Sequence, residues 1–236
     1  MDYKELNQNL SRYIGWSLIA SIVIGILASV FISSGIDINL SADITKTAEN
    51  MLNAEQRVYA RAWVSILTFM LQTFIFVGLF LILRFHGAVL ALWALVVGSS
   101  AALLSLTGAV SAMNVALMAD NSTFHTLASN SERLMLAGVQ VTSDYTSFHL
   151  SLVLNSFAMA AIFYLFLKSQ LIPKLISAWG VFASLFVAIT IVARDFIPLL
   201  GENAITGAFM VSNLIAIIAL GLYLGIKGTR DPEYQS

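Results

Sequence analysis

Long apolar stretches separated by short polar breaks dominate the pattern along this chain. A transmembrane α-helix needs about 20 mostly apolar residues, because it rises ~1.5 Å per residue across a hydrocarbon core of ~30 Å. Six stretches reach that length, and turn formers such as Gly87 and Pro173 lie in the breaks. The pattern therefore predicts six membrane-spanning helices, at about 12–33, 61–84, 88–117, 145–168, 174–194 and 204–227.

Two of the connections are long enough to hold structure of their own. In 41–60, apolar residues recur at helical spacing among charged ones and Ser41 stands at an N-cap position, which predicts an amphipathic surface helix that runs into the second span. The segment 119–144 is similar, with Ser129 and Glu132 spaced as in a capping box. The predicted fold is all-α: one integral-membrane domain over 1–236, a six-helix bundle with two outer amphipathic helices.

Composition supports a membrane protein and excludes several functions. Hydrophobic residues make up 58% of the chain and charged residues 11%, against roughly 25% charged residues in average soluble domains. The net charge of −1 gives no basic surface for nucleic acid. Without cysteine there are no disulfides, thiolate metal ligands or cysteine nucleophiles. The sequence holds no zinc-binding motif and no pair of histidines placed for haem, so we expect neither a metal nor a cofactor.

An even number of spans places both termini on the same side of the membrane. Lysine and arginine in short loops favour the cytoplasmic side, and such loops on the side of the termini carry Lys4, Arg12, Arg84, Lys168, Lys174, Lys227 and Arg230. We therefore predict an inner-membrane protein with cytoplasmic termini. The first apolar stretch is longer than the core of a signal peptide, so we expect it to remain as a span.

Polar residues inside the predicted spans concentrate in the half of the membrane opposite the termini. Because buried polarity is costly in lipid, these residues need partners or water. One interpretation is an outward-facing polar cavity for a small ligand or lipid headgroup, with Asp144 or Asp195 compensating an arginine charge. The other is hydrogen bonding between helices, worth about 0.6 kcal/mol per contact, with the arginines anchored at headgroups. The candidate ligand-binding residues are Arg61, Gln72, Asn114, His149, Asn155, Arg194 and Asp195.

The first span carries a stripe of small residues at four-residue steps: Ser17, Ser21, Gly25 and Ser29. Such a stripe lets another helix approach closely, either within the chain or on another subunit.

With no catalytic constellation in the sequence, we predict a non-enzymatic subunit or accessory protein of a larger membrane assembly. The alternative is a binding or transport protein for a small or lipidic ligand. A lipid-modifying enzyme is a third hypothesis, with His149 as its base. The expected partners are membrane lipids and other membrane subunits, or a second copy through the first span.

The run from Tyr164 to Gly180, YLFLKSQLIPKLISAWG, resembles a segment of a bacterial integral-membrane family known as domain of unknown function 4386. The opening of the first span at Arg12-Tyr-Ile-Gly15 and the histidine ahead of the fourth-span body, His149, are also similar. The overall plan of six spans covers the whole chain. The resemblance implies a fold and a membrane location and carries no activity with it.

Overall fold

Every long element in the part of the chain that the structure describes is an α-helix. The computed structural model describes the backbone of residues 3–230 and the side chains of residues 7–230. The helices are α1 (Tyr3–Phe31), α2 (Ile44–Leu52), α3 (Glu55–Ala116), α4 (Asn130–Ser169), α5 (Lys174–Arg194) and α6 (Asn203–Lys227), with short 3₁₀ turns at Thr123–Thr126 and Pro198–Gly201. The predicted all-α class is confirmed, and all of these helices except α2 are long and apolar enough to cross a membrane.

Helix α3 contains the second and third predicted spans. Its 62 residues are interrupted at Gly87, where the backbone is not helical (φ 167°, ψ 75°). A Cβ atom on Gly98 would lie 2.3 Å from the ring of Phe76. Because Phe76 and Gly98 lie equally far from Gly87 along the chain, the two arms of α3 (55–86 and 88–116) fold back on each other. The predicted turn at 84–87 therefore separates two antiparallel helical arms.

The chain forms two compact units, each containing parts of α1, α3 and α4. The described residues of the first unit lie within 1–22, 71–101 and 152–236. Its hydrophobic core includes Ile14, Leu79, Phe163, Phe166 and Leu220, all inaccessible to solvent. Within a membrane, lipid tails are as apolar as these side chains, so the core is held together by van der Waals packing between the helices.

Helices α1 and α6 approach each other closely in the first unit. A Cβ atom on Gly15 would lie 2.1 Å from the backbone nitrogen of Gly225, so the two backbones are in direct contact. Beyond this crossing, the backbone N–H of Thr229 donates to the Ser11 hydroxyl at 3.2 Å. The N–H of Arg230 donates to the carbonyl of Leu171, between α4 and α5, at 2.7 Å. The start of α1, the end of α6 and the α4–α5 turn thus lie together.

The second unit comprises residues 23–70 and 102–151. Helix α2 packs Ala48 and Met51 into a core that also contains Val58, Val115 and Val141. In the same unit, the Arg57 side chain donates to the carbonyl of Ile32, at 2.9 Å, and to that of Ser34. These carbonyls follow the last turn of α1, where helices leave backbone acceptors unsatisfied. Arg57 therefore caps the end of α1.

The first predicted surface helix is shorter than expected. Its N-cap is Asp43 rather than Ser41, because the Asp43 carboxylate accepts from the N–H of Lys46 at 3.0 Å, whereas the N–H of Ser41 donates to Asn39 in a preceding turn. At the other end, Asn53 closes α2 by donating its amide to the carbonyl of Glu49 at 2.9 Å. The prediction that this helix runs on into the second span is therefore wrong, since α3 begins as a new helix at Glu55.

The second predicted surface helix is continuous with the fourth span. The capping box is present: Glu132 accepts from the backbone N–H of Ser129 at 2.9 Å, and the N–H of Glu132 lies 3.4 Å from the Ser129 hydroxyl. This cap starts α4 at Asn130, and no break separates it from the apolar part of the helix. The polar segment is therefore the first part of a 40-residue helix and not a separate element.

Candidate functional site: a buried ion pair between α3 and α4

A buried ion pair joins the first arm of α3 to α4 in the second unit. Nη2 of Arg61 lies 2.7 Å from Oδ2 of Asp144, and the two side chains are 16% and 5% exposed. Neither residue is at the end of its helix, since α3 begins at Glu55 and α4 at Asn130. Charged groups in membrane helices are costly unless paired, so a pair of this kind marks a position with a specific role.

A glycine on the second arm of α3 makes room for the carboxylate. A Cβ atom on Gly108 would lie 2.3 Å from Oδ1 of Asp144. Any side chain at position 108 would thus displace the carboxylate from its place beside the α3 backbone. Three helical segments therefore form the site. The first arm of α3 supplies the cation, α4 supplies the anion, and the second arm of α3 leaves space for the carboxylate.

Two further polar contacts lie on either side of the pair. The Thr107 hydroxyl donates to that of Ser147 at 3.2 Å, and Nδ2 of Asn114 donates to Oε1 of Gln140 at 3.1 Å. Residue numbers rise on the second arm of α3 as they fall on α4, so these segments are antiparallel. Within the second unit, a line of polar contacts thus follows the seam between them.

A small cavity lies at the Asn114 end of this seam. It has a volume of about 180 Å³ and is lined by Asn114, Leu117, Met118, Phe124 and Gln140. Typical sites for small molecules measure about 300–1,000 Å³. The cavity therefore fits a few water molecules or a small polar group rather than a large ligand.

A buried arginine holds the loop beside this cavity. Arg133 is 4% exposed, and its guanidinium donates to the carbonyl of Met118 at 3.2 Å and to the side chains of Asp120 and Asn130. The loop after α3 is thereby tied to the first turn of α4. This role was not predicted from the sequence, because Arg133 and Asp120 form no recognised motif.

The candidate ligand-binding residues divide between the two units. Arg61, Asn114 and His149 belong to the second unit, where the half-buried His149 ring lies 5.9 Å from that of Tyr145. The first unit holds half-buried Gln72 and Asn155 on α3 and α4, with Arg194 and Asp195 at the end of α5. That Gln72, Asn114, His149, Asn155 and Arg194 converge on one hydrated cavity stays a prediction.

The ion pair itself differs from what the sequence suggested. The sequence left two interpretations of Arg61, an anchor at lipid headgroups or a ligand-binding residue, and Asp144 was one of two counterions predicted for a cavity arginine. In the structure these two residues hold each other. The seven candidates thus omitted Asp144 and Gln140, which contact two of them. Among the described residues, no group of three histidine, aspartate or glutamate side chains is placed to hold a metal ion.

Comparison with known proteins gives one finding. The sequence model of a family described as "Domain of unknown function (DUF4386)" matches residues 13–228. No curated protein and no solved structure matches the chain significantly.

Proposed function

Because the chain belongs to the DUF4386 family, whose description names no activity, we propose a function from the surfaces of the molecule: a non-enzymatic subunit or accessory protein of a larger membrane assembly. The observation that carries this proposal is the exposed segment of α1, residues 23–31. The most apolar stretch of α1 is only 17% buried, against 33–56% in the other four long helices.

The exposed segment combines large apolar side chains with small residues. Val23, Val30 and Phe31 are 47–75% exposed, and a Cβ atom on Gly25 would have no neighbour within 4 Å. Contact with lipid does not explain a small residue at this position, because acyl chains pack against a large side chain such as leucine as well as against a small one. A glycine and the exposed Ser29 one turn later instead let a partner helix approach closely. This is the second half of the predicted stripe, and its first half, Ser17 and Ser21, is half-buried.

Crosslinking tests the proposal in the native membrane. With a photoreactive amino acid in place of Leu27, we expect a discrete protein adduct, either a second copy or another subunit. The same group at Val110, which is 57% exposed on α3, serves as the control. The Leu27 adduct should disappear when Gly25 is changed to leucine, because the larger side chain blocks close approach. Adducts with lipid alone, or an adduct indifferent to Gly25→Leu, would contradict the proposal.

A second function, binding of a small polar ligand, is favoured by the cavity at Asn114 and Gln140. Both amide side chains line this cavity, and they are hydrogen-bonded to each other. Purification in a mild detergent separates the two hypotheses. Stoichiometric protein partners support the assembly role, whereas a small molecule retained by the wild type and lost from Asn114→Leu supports binding.

The proposed membrane arrangement is six spans with both termini in the cytoplasm. It is supported by the reversal at Gly87, after which the second arm of α3 runs back along the first, and by the meeting of the start of α1 with the end of α6. Since the chain has no cysteine, single-cysteine variants report one position each. We expect Lys46→Cys to react with a membrane-impermeant maleimide in intact cells, and Arg84→Cys only after permeabilisation. Reaction of both from the same side would contradict the arrangement.

A further inference from the structure

The flank formed by α5 and α6 carries a groove with a purely apolar lining. It has a volume of about 260 Å³ and is lined by Leu175, Ile176, Trp179, Ile215, Ala216 and Ala219. The indole N–H of Trp179 donates to the carbonyl of Ser212 at 3.3 Å, which fixes the orientation of that side chain. Leu175 and Ile215 are 80% and 52% exposed, so the groove is open at the surface of the first unit.

Positive charges stand at one end of this groove. Lys174 is exposed and directly precedes Leu175 at the start of α5. On α6, Tyr223 lies one turn beyond Ala219, and its hydroxyl accepts from Nε of exposed Arg230 at 3.1 Å. The backbone of Arg230 is also bound to Leu171, three positions before Lys174. The start of α5 and the segment after α6 thus each place a cation near the same end of the groove.

From this juxtaposition we infer that the α5–α6 groove binds one anionic phospholipid, with an acyl chain in the groove and the phosphate between Lys174 and Arg230. The apolar lining accepts hydrocarbon, and the cations complement the negative headgroup. The volume is below that of typical small-molecule sites, so the open groove holds a segment of one acyl chain rather than a bulky ligand. Juxtamembrane lysine and arginine attract anionic lipid, each strengthening binding by about fivefold.

Native mass spectrometry of the intact protein tests this inference. Protein is released from nanodiscs that contain equal amounts of phosphatidylglycerol and phosphatidylcholine with matched acyl chains. We expect the retained lipid to be enriched about tenfold or more in phosphatidylglycerol. In the double variant Lys174→Gln/Arg230→Gln the enrichment should fall below about twofold. The matched control is Arg12→Gln/Arg84→Gln, which removes two exposed cations from α1 and α3 and should keep the enrichment.

The contribution of the groove is tested without changing charge. Ala219→Phe fills the groove and should abolish the enrichment, whereas Ala208→Phe, at an exposed position of the same helix, should not. The midpoint of thermal unfolding shows whether each variant is folded. Leu175→Asn, which places an amide in the lining at an 80% exposed position, provides a second disruption that leaves the core untouched.

Three results would overturn the inference. They are equal retention of both lipids by the wild type, an equal loss of enrichment in the Arg12/Arg84 control, and enrichment that survives both Ala219→Phe and Leu175→Asn. The second would mean that general surface charge attracts the lipid. The outcome is independent of the α1 crosslinking experiment, because the two surfaces share no residue.

Discussion

Replacing Asp144 with alanine is expected to lower the free energy of unfolding by about 3–5 kcal/mol. The substitution leaves the Arg61 guanidinium in a site that is largely closed to solvent and without its carboxylate partner. It also creates a void beside Gly108, where the carboxylate now packs. Reversible unfolding of the purified protein in mixed micelles with increasing SDS measures the change.

A matched control and a double variant isolate the ion pair. Glu49→Ala removes an exposed carboxylate from α2 in the same unit, and its effect should stay within about 0.5 kcal/mol. Replacing both partners, as Arg61→Met/Asp144→Leu, should restore most of the lost stability, because no buried charge is then left alone. A loss below about 1 kcal/mol for Asp144→Ala would identify the pair as a weak, solvated contact instead.

The second large effect is expected at the crossing of α1 and α6. Gly15→Ala places a methyl group 2.1 Å from the nitrogen of Gly225 and 2.6 Å from the carbonyl oxygen of Gly221. Both neighbours are backbone atoms, so no side chain can rotate away and the helices must separate. We expect a loss of at least about 3 kcal/mol, at the upper end of the range for overpacked cores, in the same SDS titration.

Gly25→Ala is the matched control for this prediction. It makes the same change in the same helix, where an added Cβ meets nothing within 4 Å. Both variants gain the same helix propensity, about 1 kcal/mol, so the difference between them isolates the contact with α6. Equal stability of the two variants would show that α1 and α6 do not cross at Gly15.

The bounds of several helices follow from the length of the apolar stretches in the sequence alone. The predicted fifth span, 174–194, coincides with α5, and the sixth differs from α6 by one residue. A helix end was harder to predict where two neighbouring side chains could each serve as its cap. Ser41 and Asp43 are both good N-cap residues, and the choice between them depends on the turn that Asn39 forms ahead of α2.

Contacts between helices depend on register, which a single sequence does not contain. Arg61 and Asp144 are 83 positions apart, and their pairing requires the reversal at Gly87 and the space at Gly108. A signal for the α1–α6 crossing was present in Gly221 and Gly225, spaced four apart in an apolar helix. The small-residue stripe on α1 predicted close helix contacts at positions such as Ser17 and Gly25, whereas the backbone of α1 contacts that of α6 at Gly15.

The crossing at Gly15 also sets a condition on biogenesis. During synthesis α1 leaves the ribosome well before α6, because Gly15 precedes Gly221 and Gly225 by about 200 residues. At about 5–20 residues per second, roughly 10–40 s pass before α6 is available. Throughout that interval Gly15 is without its contacts on α6. The contact between α1 and α6 can therefore form only after most of the chain has been synthesised, which makes the closure of the first unit a late step of folding.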